Sequence, residues 1–474
     1  MSLTSFWFLV FFAILLFVLS LLQQLRKKHS KAVLLQKLCL LISSYLFIAL
    51  NDWRFSLCIA AISGFTYYFG ILIENKKSKS ILVFGIVFLS AFLAVFKYTN
   101  FFVNSFRFAF GNDTVTLKII LPIGISFYIF SCIAYLVDVF KGKYCAEKSF
   151  LNLALFISFF PKLTAGPIVR ANEFLEQTKE YHGIELKNIG DGLQIFVFGL
   201  FKKIVLADHL NVFVNDVFHA PSAYGTFTVM LAVLSYSLQI YLDFSGYSDM
   251  AIGTSKMLGY EFKPNFNLPY IAKDISEFWK RWHISLSSWL KDYIYFPLGG
   301  SRRGTARTYF NLMIVMIVSG IWHGAGWTFV LWGGLHGVIS CLNKLVGKYL
   351  KKAGSILNSI LTFVLVSLLW IIFRAESLQN AFDVFKSLFS FHDGISQIYI
   401  WSFVALTFVI VSTIVAIIHS SGKGSFKTRQ NDVNGFYPIL NLNSIFGASV
   451  FLTVCGLTLL LGYFGNTAFI YGAF

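Results

Sequence analysis

SLTSFWFLVFFAILLFVLSLL (residues 2–22) runs for 21 residues without one charged side chain. A helix rises about 1.5 Å per residue, so a run of this length matches the roughly 30 Å hydrocarbon core of a bilayer. The rest of the chain repeats the pattern. Of its 474 residues, 57% are hydrophobic and 18% aromatic, while 13% are charged, about half the charged share usual in a soluble domain. Apolar runs of similar length are expected as spans near 33–50, 55–73, 80–98, 117–140, 189–218, 226–247, 311–325, 328–347, 355–373, 399–419 and 444–464. The expected class is therefore an all-α polytopic membrane protein with 11–12 spans plus re-entrant or interfacial helices. No internal repeat or long polar linker divides the chain, so residues 1–474 are read as one integral membrane domain.

The first run has no basic residue before its apolar core and no clear small-x-small site after it. It is expected to be retained rather than cleaved as a signal peptide. The formal charge of +17 invites a nucleic-acid reading. However, the cations are dispersed in short connectors: RKKHSK (26–31), ENKKSK (74–79), KGK (141–143), the 280–307 segment, KYLKK (348–352) and GKGSFKTRQ (422–430). Cytoplasmic loops of membrane proteins carry this bias. It implies membrane lipid as the surroundings, no nucleic-acid partner, and both termini on the extracytoplasmic side. The six cysteines are scattered, without a CxxC pair or a partnered histidine spacing, so neither a metal site nor a disulfide framework is expected.

Polar residues within the apolar runs are the candidates for function. YLDFSGYSDMAIG (241–253) carries Asp243 and Asp249, and a carboxylate at membrane depth is unfavourable by about 2.5–3.5 kcal/mol unless paired or hydrated. Both must face protein or a cavity. IWHGAGWTFVLWGGLHG (321–337) carries His323 and His336 among glycine, tryptophan and aliphatic residues. A neutral imidazole there can take a proton from a hydroxyl and return it, as acyl transfer requires. It can equally serve as a hydrogen-bonding contact between helices. The residues by themselves leave both open for His323. On one unbroken helix His336 lies about 20 Å further along, so a structural role is expected for it. SEFWKRWHISLSSWLKDYIYFPLGGSRRG (276–304) mixes aromatic and cationic residues, is too polar for a clean span, and reads as a re-entrant or interfacial segment. Its His283 follows Lys280 and Arg281 and is expected near the cytoplasmic face. There is no GxSxG elbow, phosphate loop or HExxH, which argues against a serine hydrolase and a metalloenzyme.

Four stretches taken together, FFPKLTAGPIVR (159–170), YLDFSGYSDMAIGTSKMLGYEFKPNFNLPY (241–270), FWKRWHISLSSWLKDYIYFPLGG (278–300) and WHGAGWTFVLWGGLHG (322–337), resemble the membrane-bound O-acyltransferase family. The match is clearest over about 155–340. Within the family they are similar to the bacterial branch of alginate and peptidoglycan O-acetyltransferases and the teichoic acid D-alanyl transfer protein. The resemblance implies a ring of tilted helices around a central tunnel. It assigns His323 as principal catalytic histidine and His283 as a second, and it implies O-acetylation of an extracytoplasmic polysaccharide in the bacterial inner membrane. Acetyl-coenzyme A would be the donor substrate, with no bound cofactor. D-alanyl transfer from a carrier protein is the alternative, and a small-solute transporter is a weaker one. Lys280 and Arg281 are candidates for the donor's phosphates, with Asp243 and Trp322 as further substrate contacts. The terminal GNTAFIYGAF (465–474) resembles an acyl-accepting motif of the branch, with Tyr471 as acyl relay flanked by Phe469 and Phe474. The implied partner is an extracytoplasmic SGNH-like acyltransferase or the polysaccharide itself.

Overall fold

The computed structural model describes residues 1–26, 31–111, 115–350, 354–420 and 439–463. Among them the regular elements are helices, with one isolated bridge where Tyr224 meets Ile395. Eight helices are long and apolar enough to cross a membrane: Phe6–Gln24, Ala32–Ala49, Trp53–Lys76, Lys79–Ala109, Thr226–Met257, Trp327–Gly347, Ser355–Arg374 and Ile400–Ile418. Each corresponds to one of the twelve expected spans. Two more, 117–140 and 444–464, become shorter apolar helices, Ile125–Phe140 and Ile445–Leu461. The 311–325 run lies in a helix that starts earlier, at Thr305, with the polar sequence TARTYF. The 189–218 run is helical but interrupted, as described below.

The chain forms two compact units, residues 1–196 with 250–262, and residues 197–249 with 263–474. The first is organised around Ile125–Phe140, where every residue from Phe127 to Val139 is buried. That helix begins after Gly124 at φ 71°, where a Cβ would lie 2.2 Å from the Leu163 carbonyl oxygen, so only glycine permits the approach. Asp52 starts another helix by accepting the Arg54 backbone N–H at 2.9 Å. The FFPKLTAGPIVR stretch lies in this unit, with Lys162 buried and its ammonium 3.9 Å from the centre of the Phe156 ring.

In the second unit, helix burial separates lipid-facing from central elements. Only 11% of the Ile400–Ile418 window is buried inside the protein, against 78% for Thr226–Met257. The latter carries the Asp243 and Asp249 segment, and its burial on all sides meets the demand those carboxylates impose. The Leu186–Leu200 helix passes into a π-helical segment at Phe201–Ala207 and resumes as Asp208–His219. The wide π turn stacks residues five apart, which brings the Lys203 ammonium to 2.8 Å from the Asp208 carboxylate. The same ammonium reaches Asp243 at 2.5 Å, and Lys202 reaches Asp249 at 2.6 Å.

Candidate active site

The site lies in the second unit and begins at the end of the Thr305–His323 helix. Gly324 follows in extended backbone, φ −157° and ψ 156°, and a new helix starts at Trp327. A Cβ on Gly324 would lie 2.1 Å from the Phe329 ring. The two helices then run against each other with backbones in contact. A Cβ on Gly320 would lie 2.2 Å from the Phe329 carbonyl oxygen, and one on Gly333 would lie 2.4 Å from that of Met316. The glycines of this stretch thus build a helical hairpin with no room for side chains at its seam.

His323 and His336 lie on the two separate helices expected from the 311–325 and 328–347 runs, so the separation of about 20 Å along one unbroken helix does not apply. Both imidazoles pack on the same indole, with ring centroids 5.3 Å from His323 to Trp332 and 4.6 Å from Trp332 to His336. They are therefore far closer than helical rise along an unbroken helix would place them. His336 is fully buried between Trp332 and Trp279, the latter at 5.0 Å. His323 is 2% exposed and also meets Phe373 at 5.5 Å.

His283 arrives from a different element. It joins the short helices Ile275–Arg281 and Ile284–Leu290 and has φ 44°, a left-handed conformation uncommon for a residue with a Cβ. Although it follows Lys280 and Arg281 in sequence, it does not lie among solvated cations. Lys280 stays at the surface, while the His283 ring is packed in the core with no exposed area. It packs 4.7 Å from Phe244 and 5.8 Å from Trp322, and its centroid is 6.4 Å from that of His323. Two histidines forty positions apart thus share one aromatic pocket, with Trp322 touching both rings.

Asn265 holds the turn around His283. Its backbone oxygen accepts from the Ile284 N–H at 2.9 Å, and its side-chain oxygen accepts from the Ser285 backbone N–H at 3.1 Å. The His283 Nδ1 lies 3.2 Å from that same side-chain oxygen. Around these groups Trp282, Trp332 and Trp370 are fully buried, and Trp332 stacks on Trp370 at 5.6 Å. Burial pushes the His283 imidazole down to about 3, because it disfavours the charged ring. Neutral imidazole is the form that accepts a proton from a hydroxyl.

The other expected contacts have partners of their own. Asp243 is 1% exposed and its carboxylate is held by Lys203. Arg281 is engaged by Glu277, Nε at 2.8 Å, and donates to the Asn267 carbonyl at 3.1 Å. Lys280 and Arg281 border an open depression with Asn267, Asp274, Ser276 and Glu277, so carboxylates share the face expected to attract phosphates. Partial burial opposes ionisation of Glu277, yet the Lys273 backbone N–H and the Arg281 guanidinium hold its carboxyl below the ordinary value. Tyr471, Phe469 and Phe474 lie outside the described residues. Among the described residues no group of three or more His, Cys, Asp and Glu side chains is arranged to hold a metal ion.

Lys202, Lys203, Asp208 and Asn265 were not singled out from the sequence. The lysine pair inside the apolar IFVFGLFKKIVLA run (195–207) was the available signal, since buried cations need anions and Asp243 and Asp249 lay unassigned. Asn265 carries no comparable signal in NFN (265–267), because its partners come from other segments.

Comparison with known proteins identifies the family. The model of MBOAT, the membrane-bound O-acyltransferase family, matches residues 2–373. A probable alginate O-acetylase of Pseudomonas aeruginosa is 40% identical over 369 residues, covering 75% of this chain and 70% of its own. A peptidoglycan O-acetyltransferase of Helicobacter pylori is 36% identical over 394 residues, covering 76% and 75%. A teichoic acid D-alanyltransferase of Bacillus subtilis is 28% identical over 245 residues, covering 48% and 60%. With the family match extending across the apolar helices and the pocket that holds His283 and His323, the chain belongs to the membrane-bound O-acyltransferases and is a multi-pass membrane enzyme that transfers acyl groups to oxygen.

Proposed function

We propose that this enzyme moves an acetyl group from cytoplasmic acetyl-coenzyme A toward an extracytoplasmic polysaccharide, working in the bacterial inner membrane with both termini outside. The observation that carries the proposal is the buried pair of imidazoles with centroids 6.4 Å apart. Neutral His323 takes the proton of the attacking hydroxyl as its oxygen bonds to the thioester carbonyl carbon. The tetrahedral intermediate collapses with cleavage of the carbon–sulfur bond, and the departing thiolate takes the proton back from the imidazolium. One ester forms, one thioester is lost, and the histidine is regenerated. A tunnel between the two membrane faces would let thioester and hydroxyl reach His323 from opposite sides. Lys280 and Arg281 would meet the donor's phosphates at the cytoplasmic mouth, although Glu277 and Asp274 beside them weaken that attraction.

The acetyl donor is favoured by the alginate and peptidoglycan relatives, which match more of this chain at higher identity than the D-alanyl transferase does. Purified enzyme given acetyl-coenzyme A and an acceptor should release free coenzyme A. Turnover only with a D-alanyl carrier protein would transfer the assignment to teichoic acid modification, and solute uptake without thioester cleavage would return it to a transporter.

The hydroxyl that first accepts the acyl group is assigned to Tyr471. A phenol has a pKa near 10, so it needs a base to attack at neutral pH, and the resulting phenolic ester readily passes its acyl group on. The recipient would be an SGNH-like partner outside the membrane, or the polymer itself. Tyr471→Phe, which retains the ring, should stop polymer acetylation while the protein still accumulates; normal ester content in cells carrying the variant would reduce Tyr471 to an aromatic anchor.

A further inference from the structure

We infer that Asn265 is a positioning residue that fixes His283 as the tautomer with a proton-accepting Nε2, an inference that rests on the reading of His283 as part of the transfer site. Asn265 is 1% exposed, in the segment between the Thr226–Met257 helix and the re-entrant helices. Its amide orientation follows from chemistry. The Ser285 backbone N–H lies 3.1 Å away and can only donate, so the atom it meets is the amide oxygen. The Ser285 hydroxyl reaches the same oxygen at 2.9 Å, while the amide nitrogen faces the Ser248 hydroxyl at 3.4 Å. The imidazole nitrogen that meets this oxygen, Nδ1 at 3.2 Å, faces an atom with no proton to give. Nδ1 must therefore carry the hydrogen, which leaves the lone pair of the neutral ring on Nε2.

The same asparagine holds the backbone. Its carbonyl takes the Ile284 N–H and its side chain takes the Ser285 N–H, so both residues after His283 are pinned while His283 itself stays at φ 44°. A left-handed residue with a Cβ is strained and persists only where its surroundings over-determine it. Asn265 supplies that constraint and the tautomer together. The rings packed on His283 include Phe244, Trp322 and the titratable His323. On this inference His283 Nε2 accepts a hydrogen bond in the pocket it shares with His323, and the wrong tautomer would present Nε2–H, a donor, there.

The test measures release of coenzyme A from acetyl-coenzyme A across a pH series, using the full-length enzyme in detergent. Asn265→Ala should lower kcat about 10–100-fold, as loss of a group that orients an imidazole does elsewhere, with KM for acetyl-coenzyme A unchanged. Asn265→Asp keeps the acceptor for both Ser285 and His283, so a role confined to capping the turn predicts the wild-type profile. A carboxylate beside the ring instead stabilises imidazolium, and a base that must be neutral then works only at higher pH, so the acid limb should move up. Wild-type kcat in Asn265→Ala overturns the proposal. So does an Asn265→Asp profile that superposes on wild type, or folded Asn265→Asp protein that is inactive at every pH. His283→Gln separates the two levels. If it turns over at the wild-type rate, the reading of His283 fails and the lock with it; if it is slow while both Asn265 variants behave as wild type, only the lock fails.

Discussion

His323→Ala loses between about 100-fold and 10,000-fold in acyl transfer, the range that a positioned general base contributes, while the protein inserts and accumulates as wild type does. The side chain ends the Thr305–His323 helix at a break made by Gly324, so the helix has no continuation for the truncation to disturb. The void left beside Trp332 and Phe373 does cost some stability. His323→Gln, closer in size and still polar, is the companion variant that separates lost chemistry from lost packing. Both should fail to release coenzyme A and should leave the cellular polymer without ester. Turnover near wild type in either variant would remove the general-base role. Because His283 packs in the same pocket rather than at the interface, His283→Ala should fall in the same range instead of showing only weakened donor capture.

Lys203→Met is expected to cost about 3–5 kcal/mol of stability, the usual consequence of removing one member of a buried ion pair. Lys203 shares its ammonium between Asp208 and Asp243, and all three side chains are at most 4% exposed. Since native proteins hold only about 5–15 kcal/mol in reserve, such a loss shows directly as low membrane yield and early thermal unfolding in detergent. Adding Asp243→Asn to Lys203→Met removes one of the two stranded carboxylates and should restore part of the yield. A Lys203→Met protein that accumulates and melts as wild type does would show that the cluster contributes nothing to the fold. Asp243→Asn alone should be milder, because Lys203 keeps Asp208 as its anion.

Class, spans and the motifs of the site were legible in the chain because they depend on local properties. Whether 20 residues can sit in hydrocarbon is decided by their own transfer energies, and eight of the expected spans are found where the apolar runs lie. The WHG histidine stood out for the same reason, as one of two titratable groups in an otherwise apolar run. The demand that Asp243 and Asp249 be paired also followed from local composition, although their partners did not.

Only the tertiary structure decided what those residues meet. Lys203 and Asp243 are forty positions apart, and their pairing depends on a π turn that hydropathy does not register. His283 looked interfacial because its sequence neighbours are cations, whereas a left-handed backbone at that one residue turns its ring inward. The two spans that carry His323 and His336 were legible in the sequence, but the close backbone packing at Gly320 and Gly333 that brings both rings onto Trp332 was not. In each case, hydropathy and helical periodicity report which solvent a segment prefers and which face it presents. The distance between two side chains is set by long-range packing and by single dihedral angles, which no local average of the sequence contains.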